Sequence, residues 1–418
     1  MMKLSSISFC LLLISLNIYA KISCKLTGEI IGRSSKELYL YKATDNIKKF
    51  PERMKLLRVE DNKFQYLFQV DQIEPYVVVF KDEMDNNAYK KIIFFPNESV
   101  VLKLYAFEDF EDKTLAIGGE LNQMYYRLMR EEYKVYKDIA YVRLSRTWNN
   151  LLRSNQYFSP EMMAIKKLLS QKQSENGALL AEEKMLVDRG NDLTDLGKEN
   201  KRQMDSLLAI NYARKYGIID QNINLATYFI IINDLRHAEE FPYLKNLIQG
   251  TSKKFINAFP THYYSKQLKT FLESQTRIKE MGTFIDFEVE NEKGSKLKIS
   301  TLFHQNKLIL LNFWGSWCGP CIAKMEMVYP IYEKYKTKGF EVISIAREFK
   351  SLTAWRNRID SNGYHWQNVV DLNDKYNVWD KYGILNSVGK MLLIDQRGNI
   401  IAYDPTPKEI EEAIQKKF

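Results

Sequence analysis

Residues 308–313 read Leu-Ile-Leu-Leu-Asn-Phe, and Trp314-Gly315-Ser316-Trp317-Cys318-Gly319-Pro320-Cys321 follows at once. No other feature constrains the fold as tightly. A run that is apolar at both odd and even positions fits a strand covered on both faces, as in the centre of an α/β sheet. Residues Cys321 to Tyr335 then read as a helix, with Pro330 as an expected kink. A Cys-x-x-Cys pair between a buried strand and a helix is the setting of a redox dithiol.

The physics of that position favours sulfur chemistry. Two residues between the cysteines bring the sulfurs within bonding reach at the start of a helix. Free backbone N–H groups and the helix dipole there favour a thiolate at Cys318, and such sites bring the thiol pKa from ~8.5 into the range ~3.5–7.5. Cys318 is expected to attack a disulfide, and Cys321 to resolve the mixed disulfide. Gly319 and Pro320 set the poise of the pair, and Trp317 flanks it. The rival reading of Cys-x-x-Cys, half of a zinc site, needs a second ligand pair. His237, His262, His304 and His365 are scattered, and there is no other close cysteine pair, so no metal is expected.

Of the four cysteines, the other two lie near the start of the chain. Lys3, the apolar stretch from Ile7 to Leu16 and the small residue Ala20 have the three-part pattern of a secretory signal peptide over residues 1–20. Cys10 falls within it. Cys24 follows the expected cleavage point and reads as a small hydrophobe opening the first strand. Lys21 stands where a lipoprotein signal usually has a small aliphatic residue. The net charge of +9 is spread among acids rather than blocked, which argues against a nucleic-acid partner.

From about Ile22 to Gly118 short β-branched and aromatic runs alternate with turn-formers such as Asp61-Asn62 and Asp85-Asn86-Asn87, the pattern of a small antiparallel sandwich or barrel. From Glu120 the spacing turns helical, with later helices expected at 224–235, 241–249 and 264–273. From Met281 the pattern is α/β, in the order β-α-β-α-β-β-α.

That order fits a thioredoxin fold. Residues 308–321 look like the active-site strand and helix of thioredoxins. The segment 281–418 resembles the TlpA/ResA-like subfamily of extracytoplasmic thiol–disulfide oxidoreductases. Gly282-Thr283-Phe284-Ile285-Asp286-Phe287, Trp355, Gly363, Trp366, Asp371, Tyr382-Gly383-Ile384 and Leu393-Ile394-Asp395 fall in its pattern. The segment 22–130, with Gly118-Gly119-Glu120-Leu121-Asn122, is similar to the β-rich domain of unknown function that precedes such domains in Bacteroidetes. The resemblance implies dithiol–disulfide exchange with client proteins in the periplasm or cell envelope, as a reductase or isomerase. It also implies a membrane-embedded thiol donor and no bound organic cofactor.

Three positions depart from the family pattern. Gly389 stands where a cis-proline is expected opposite the cysteines. Asn312 replaces the buried aspartate that serves as proton acceptor. Lys324 occupies a position, three residues after Cys321, where the subfamily often has a glutamate; Glu326, on another helical face, is a substitute to consider. These departures motivate an alternative, a non-catalytic client-binding module. A second alternative is peroxide reduction, with Arg347 as the nearest candidate arginine; the paired cysteines argue against it. The expected organisation is a signal peptide (1–20), a β-sandwich-like domain (21–118), a helical domain (119–275) and a thioredoxin-like domain (276–418).

Overall fold

The computed structural model describes residues 21–47, 50–106, 109–171, 177–238, 241–384 and 389–418. The expected signal peptide lies outside them. The chain divides into two compact units, residues 1–127 and 128–418.

The first unit carries two four-stranded sheets. One has the order β4 (Lys63–Val70), β1 (Ile22–Ile31), β7 (Ser99–Tyr105), β8 (Leu115–Ile117). The other runs β3 (Lys55–Arg58), β2 (Glu37–Lys42), β5 (Tyr76–Phe80), β6 (Ile92–Phe94). Pairing is antiparallel except between β1 and β7. Two short helices, α1 (Lys81–Asp85) and α2 (Phe110–Lys113), sit in the connections. Alternating residues of both sheets, among them Leu26, Leu40, Val78, Phe94 and Leu102, form one core. Cys24 is buried in it, two residues into β1.

The Gly118–Asn122 motif has a physical reason in this unit. Asn122 Oδ1 accepts the Phe95 N–H (2.7 Å), and its Nδ2 donates to Phe95 O (2.8 Å) and Gly118 O (2.6 Å). This buried amide meets backbone groups that the sheet leaves unpaired. Gly118 has φ +118°, and a Cβ there would sit 2.1 Å from Ser99 O, so no other residue fits.

The helical region comprises α3 (Glu120–Tyr133), α4 (Ile139–Arg153), α5 (Pro160–Gln171), α6 (Gly177–Asp188), α7 (Asp195–Gln221), α8 (Leu225–Asp234), α9 (Pro242–Ala258) and α10 (Tyr263–Lys279). Capping is visible in the sequence. Asn224 and Thr227 form a reciprocal capping box at the start of α8, and Thr194 caps α7. A buried ion cluster ties three helices of the second unit. Lys215 Nζ lies 2.8 Å from Glu132 Oε2 and 3.1 Å from Asp234, and Tyr216 O–H donates to Asp234 (3.1 Å).

The C-terminal part of the second unit is an α/β domain built on a seven-stranded sheet. Its order is β10 (Lys296–Lys298), β9 (Glu288–Asn291), β13 (Gln367–Leu372), β12 (Phe340–Glu348), β11 (Leu308–Trp314), β14 (Met391–Asp395), β15 (Ile400–Tyr403). Its helices are α11 (Gly319–Tyr335), α12 (Thr353–Asn362), α13 (Val378–Lys381) and α14 (Pro407–Lys417). β11 pairs in parallel with β12 and antiparallel with β14. Its even residues Leu308, Leu310 and Trp314 pack with α11, α12 and α14. Its odd residues Ile309, Leu311 and Phe313 pack with Phe303, Trp379 and Tyr382 on the other face. The two-sided core is the reason for the unbroken apolar run. β13 and the β9–β10 hairpin are additions to the order expected from sequence.

Candidate active site

β11 delivers Trp314 to a tight turn, closed by a hydrogen bond from Cys318 N–H to Gly315 O (2.9 Å). Cys318 is the N-cap of α11, and its Sγ accepts the Cys321 N–H (3.3 Å). Gly319 and Pro320 form the first turn, where a proline costs nothing because its missing N–H would have no intrahelical partner. Cys318 and Cys321 are joined in a disulfide, with Cα atoms 5.3 Å apart. Cys318 is 3% exposed and Cys321 5%. Trp317 stands out beside them at 52% exposure, its Nε1–H donating to Arg347 O (2.9 Å). The expected pair is therefore assembled where the sequence puts it, at a helix N-terminus.

Gly389 closes the site from the opposite side. A Cβ built on it would meet Phe313 O at 1.7 Å and Cys321 Sγ at 3.1 Å. The backbone at Gly389 thus presses against Cys321 Sγ and β11, and Phe313 N–H donates to Lys390 O (2.8 Å). Residues 385–388, and with them the peptide bond before Gly389, lie outside the described residues.

Asn312 lies on the α11 face of β11, only 2% exposed, in register with Ser344 of β12. Neither Asn312 Nδ2 nor Ser344 Oγ has a hydrogen-bond partner among the described residues. Asn312 brings no carboxylate to this position.

Lys324 is on α11 one turn beyond the cysteines, and its ammonium pairs with Asp404. Lys390 Nζ lies 3.7 Å from the same carboxylate. Burial pushes the Lys324 ammonium below its ordinary pKa, although Asp404 pulls the other way. Burial also works to raise the Asp404 carboxyl, but Lys324, Lys390 and Lys184 together hold it below the ordinary aspartate value. Asp404 has φ +49° and donates its backbone N–H to Met391 O (2.6 Å). Glu326 is exposed on another face of α11, with Asn362 as its partner (3.4 Å). Arg347 is held by Asp374 (2.5 and 2.9 Å) and lies 5.3 Å from the Trp379 ring.

One residue of the site escaped the sequence reading. Glu348 ends β12 with 3% exposure and grips the turn before Cys318. Its Oε1 accepts the Ser316 N–H (2.6 Å), and its Oε2 accepts the Ser316 hydroxyl (2.8 Å). Burial pushes this carboxyl up in pKa, against the two Ser316 donors. The only signal in sequence is an acid at the end of a buried strand.

A seven-stranded mixed sheet whose interior strand β11 leads through a Cys-x-x-Cys disulfide into a covering helix defines a thioredoxin-like domain. Residues 282–403 match the AhpC/TSA family model. The thiol–disulfide oxidoreductase ResA of Bacillus thuringiensis (strain Al Hakam) is 28% identical over 134 residues, covering 31% of this chain and 74% of that protein. ResA of Halalkalibacterium halodurans is 32% identical over 117 residues, covering 28% of this chain and 63% of that protein. A solved thiol-disulfide oxidoreductase from Bacteroides fragilis NCTC 9343 is 27% identical, covering 32% of this chain and 99% of that one, with a TM-score of 0.30. The C-terminal domain of this protein is an AhpC/TSA-type thioredoxin-like domain, homologous to the ResA thiol–disulfide oxidoreductases.

Proposed function

We propose that this protein exchanges dithiol and disulfide with client proteins through Cys318 and Cys321, working as a reductase outside the cytoplasm. The observation that carries the reading is the Cys318–Cys321 disulfide at the N-terminus of α11, with Cys318 as the cap residue. In the reduced form the Cys318 thiolate attacks one sulfur of a client disulfide. A Cys318–client disulfide forms and the first client thiolate leaves. Cys321 then loses its proton and attacks Cys318 Sγ, which restores the internal disulfide and frees the second client thiolate. The client gains two electrons, and a membrane-embedded thiol donor returns them to the pair.

The functional site residues are Cys318 and Cys321, supported by Trp317, Gly319, Pro320, Gly389, Lys324 and Asn312. Sequence outside residues 282–403 is ample for client selection: the β sheets, and helices α4–α10. The domain limits 21–118, 119–275 and 276–418 are proposed as its working parts. Delivery to the periplasm or cell envelope rests on the signal-like residues 1–20. No helix among the described residues is long and apolar enough to cross a membrane. The test is reduction of insulin disulfides by the mature chain with dithiothreitol as electron source. Turnover that disappears in Cys318→Ser supports the reading. Equal rates for the two proteins contradict it, and favour a client-binding module without redox chemistry.

A further inference from the structure

Glu348 places an acid under the redox turn in a form that a structural brace does not require. A neutral glutamine has the same reach, with an amide oxygen to accept the Ser316 N–H and an amide nitrogen to donate to the Ser316 hydroxyl oxygen. Glu348 instead brings a carboxylate whose hydrogen bonds, among the described residues, all go to Ser316. No cation among them pairs with it. Of the charged groups nearby, Arg347, Asp371 and Lys324 are already engaged. Arg347 on the same strand is held by Asp374. The Asp371 carboxylate on β13 takes the Tyr376 N–H (2.8 Å) and the Val378 N–H (2.9 Å). Asp380 on α13 is a further acid close to Arg347. Lys350, just past β12, is exposed. Lys324 on α11 is held by Asp404.

Ser316 precedes Cys318 by two residues in a turn closed by Cys318 N–H to Gly315 O. Two residues of chain span at most ~7 Å, so the carboxylate lies on the order of 10 Å from Cys318 Sγ. Its charge opposes a thiolate there, while the helix N-terminus favours one.

The geometry points to Glu348 as a positioning residue that holds the Ser316–Trp317 turn and, as a buried anion, keeps the Cys318 thiol from ionising too readily. It sets the poise of the pair toward reduction. The assignment rests on the proposed role of Cys318 as the exchanging thiol. A unit charge at that distance, in a medium of effective dielectric constant about 20, shifts a pKa by about one unit.

The test is the pH dependence of Cys318 alkylation by iodoacetamide in the full-length chain. It is measured in a Cys321→Ser background, with Cys318→Ser/Cys321→Ser as the control for Cys24. Glu348→Gln keeps the side chain's size and removes its charge. It lowers the Cys318 pKa by about one unit, a tenfold rise in the thiolate-to-thiol ratio. With both cysteines present, the same substitution makes the pair more oxidising by about 30 mV, the equivalent of that tenfold change. Glu348→Asp keeps the charge and leaves the Cys318 pKa close to that of the parent. A Glu348→Gln pKa and potential equal to the parent values overturn the assignment. So does an equal fall in both variants, because the shape of the turn rather than the charge would then be responsible. If the Glu348→Gln shift appears in a protein that reduces no client disulfide, the proposed function fails and the electrostatic role of Glu348 stands.

Discussion

Gly389→Ala probes the closest contact in the site. The added methyl would lie 1.7 Å from Phe313 O and 3.1 Å from Cys321 Sγ. Ordinary van der Waals separation needs about 3.5 Å, so the 389 backbone must retreat from β11 by roughly 1.5–2 Å. The neighbouring bond from Phe313 N–H to Lys390 O, now 2.8 Å, does not survive such a movement. Losing one buried backbone hydrogen bond costs about 1 kcal/mol. Overpacking of this kind adds about 1–3 kcal/mol. The sum, about 2–4 kcal/mol, corresponds to a fall in unfolding midpoint of about 4–16 °C for a unit of this size class. The retreat also uncovers Cys321 Sγ. Differential scanning calorimetry of the oxidised protein reads the first effect. Alkylation of Cys321 in a reduced Cys318→Ser background reads the second, and the rate rises. An unchanged midpoint together with an unchanged alkylation rate would show that the 389 backbone does not press on the pair.

Three further outcomes follow from other parts of the structure. Asp404 has its pKa depressed by three ammonium groups, so it contributes stability that is fully present above its ordinary value of 3.8 and is lost as pH falls through the depressed value. Asp404→Asn therefore lowers stability near neutral pH and flattens the acid limb of the stability profile, read by urea unfolding between pH 7 and pH 2. A limb of unchanged slope counts against the ion cluster. Lys215→Met leaves Glu132 and Asp234 facing each other in a buried setting, and costs about 3–5 kcal/mol. Adding Asp234→Asn to Lys215→Met recovers part of the loss, and a double variant no better than the single one refutes the electrostatic account. Finally, Trp317 fluorescence changes on reduction of the adjacent disulfide in the parent protein and not in Cys321→Ser. A signal indifferent to dithiothreitol would separate Trp317 from the redox centre.

The fold of the α/β domain was legible where it depends on local pattern. The β11 run, the Cys318–Cys321 pair and the α11 start are encoded within some thirty consecutive residues. β13 is not legible, because Gln-Asn-Val-Val-Asp-Leu has no clear alternation; its burial comes from β12 and β9 on either side. The spacing predicts helices at 224–235, 241–249 and 264–273, where α8, α9 and α10 lie, but α9 and α10 run further than the apolar pattern alone indicates. Lys324 stands out in the sequence because it occupies the position, three residues after Cys321, where the resembled subfamily often has a glutamate. Its engagement with Asp404, eighty residues further on, depends on the β14–β15 pairing, which no local pattern reveals. Glu348 was hidden for the same kind of reason. In the sequence Ala-Arg-Glu-Phe-Lys it reads as the charged exit of a strand, and only the parallel β11–β12 register brings it beneath Ser316.

The most direct test is the reduction potential of the Cys318–Cys321 pair, titrated against glutathione redox buffers with Cys318→Ser as the control. One reversible two-electron transition, absent from the control, is expected at a potential near the ~−270 mV of thioredoxin. A potential near the ~−120 mV of a strong oxidant would contradict the reductase direction, and a pair that does not cycle reversibly would contradict thiol–disulfide exchange altogether.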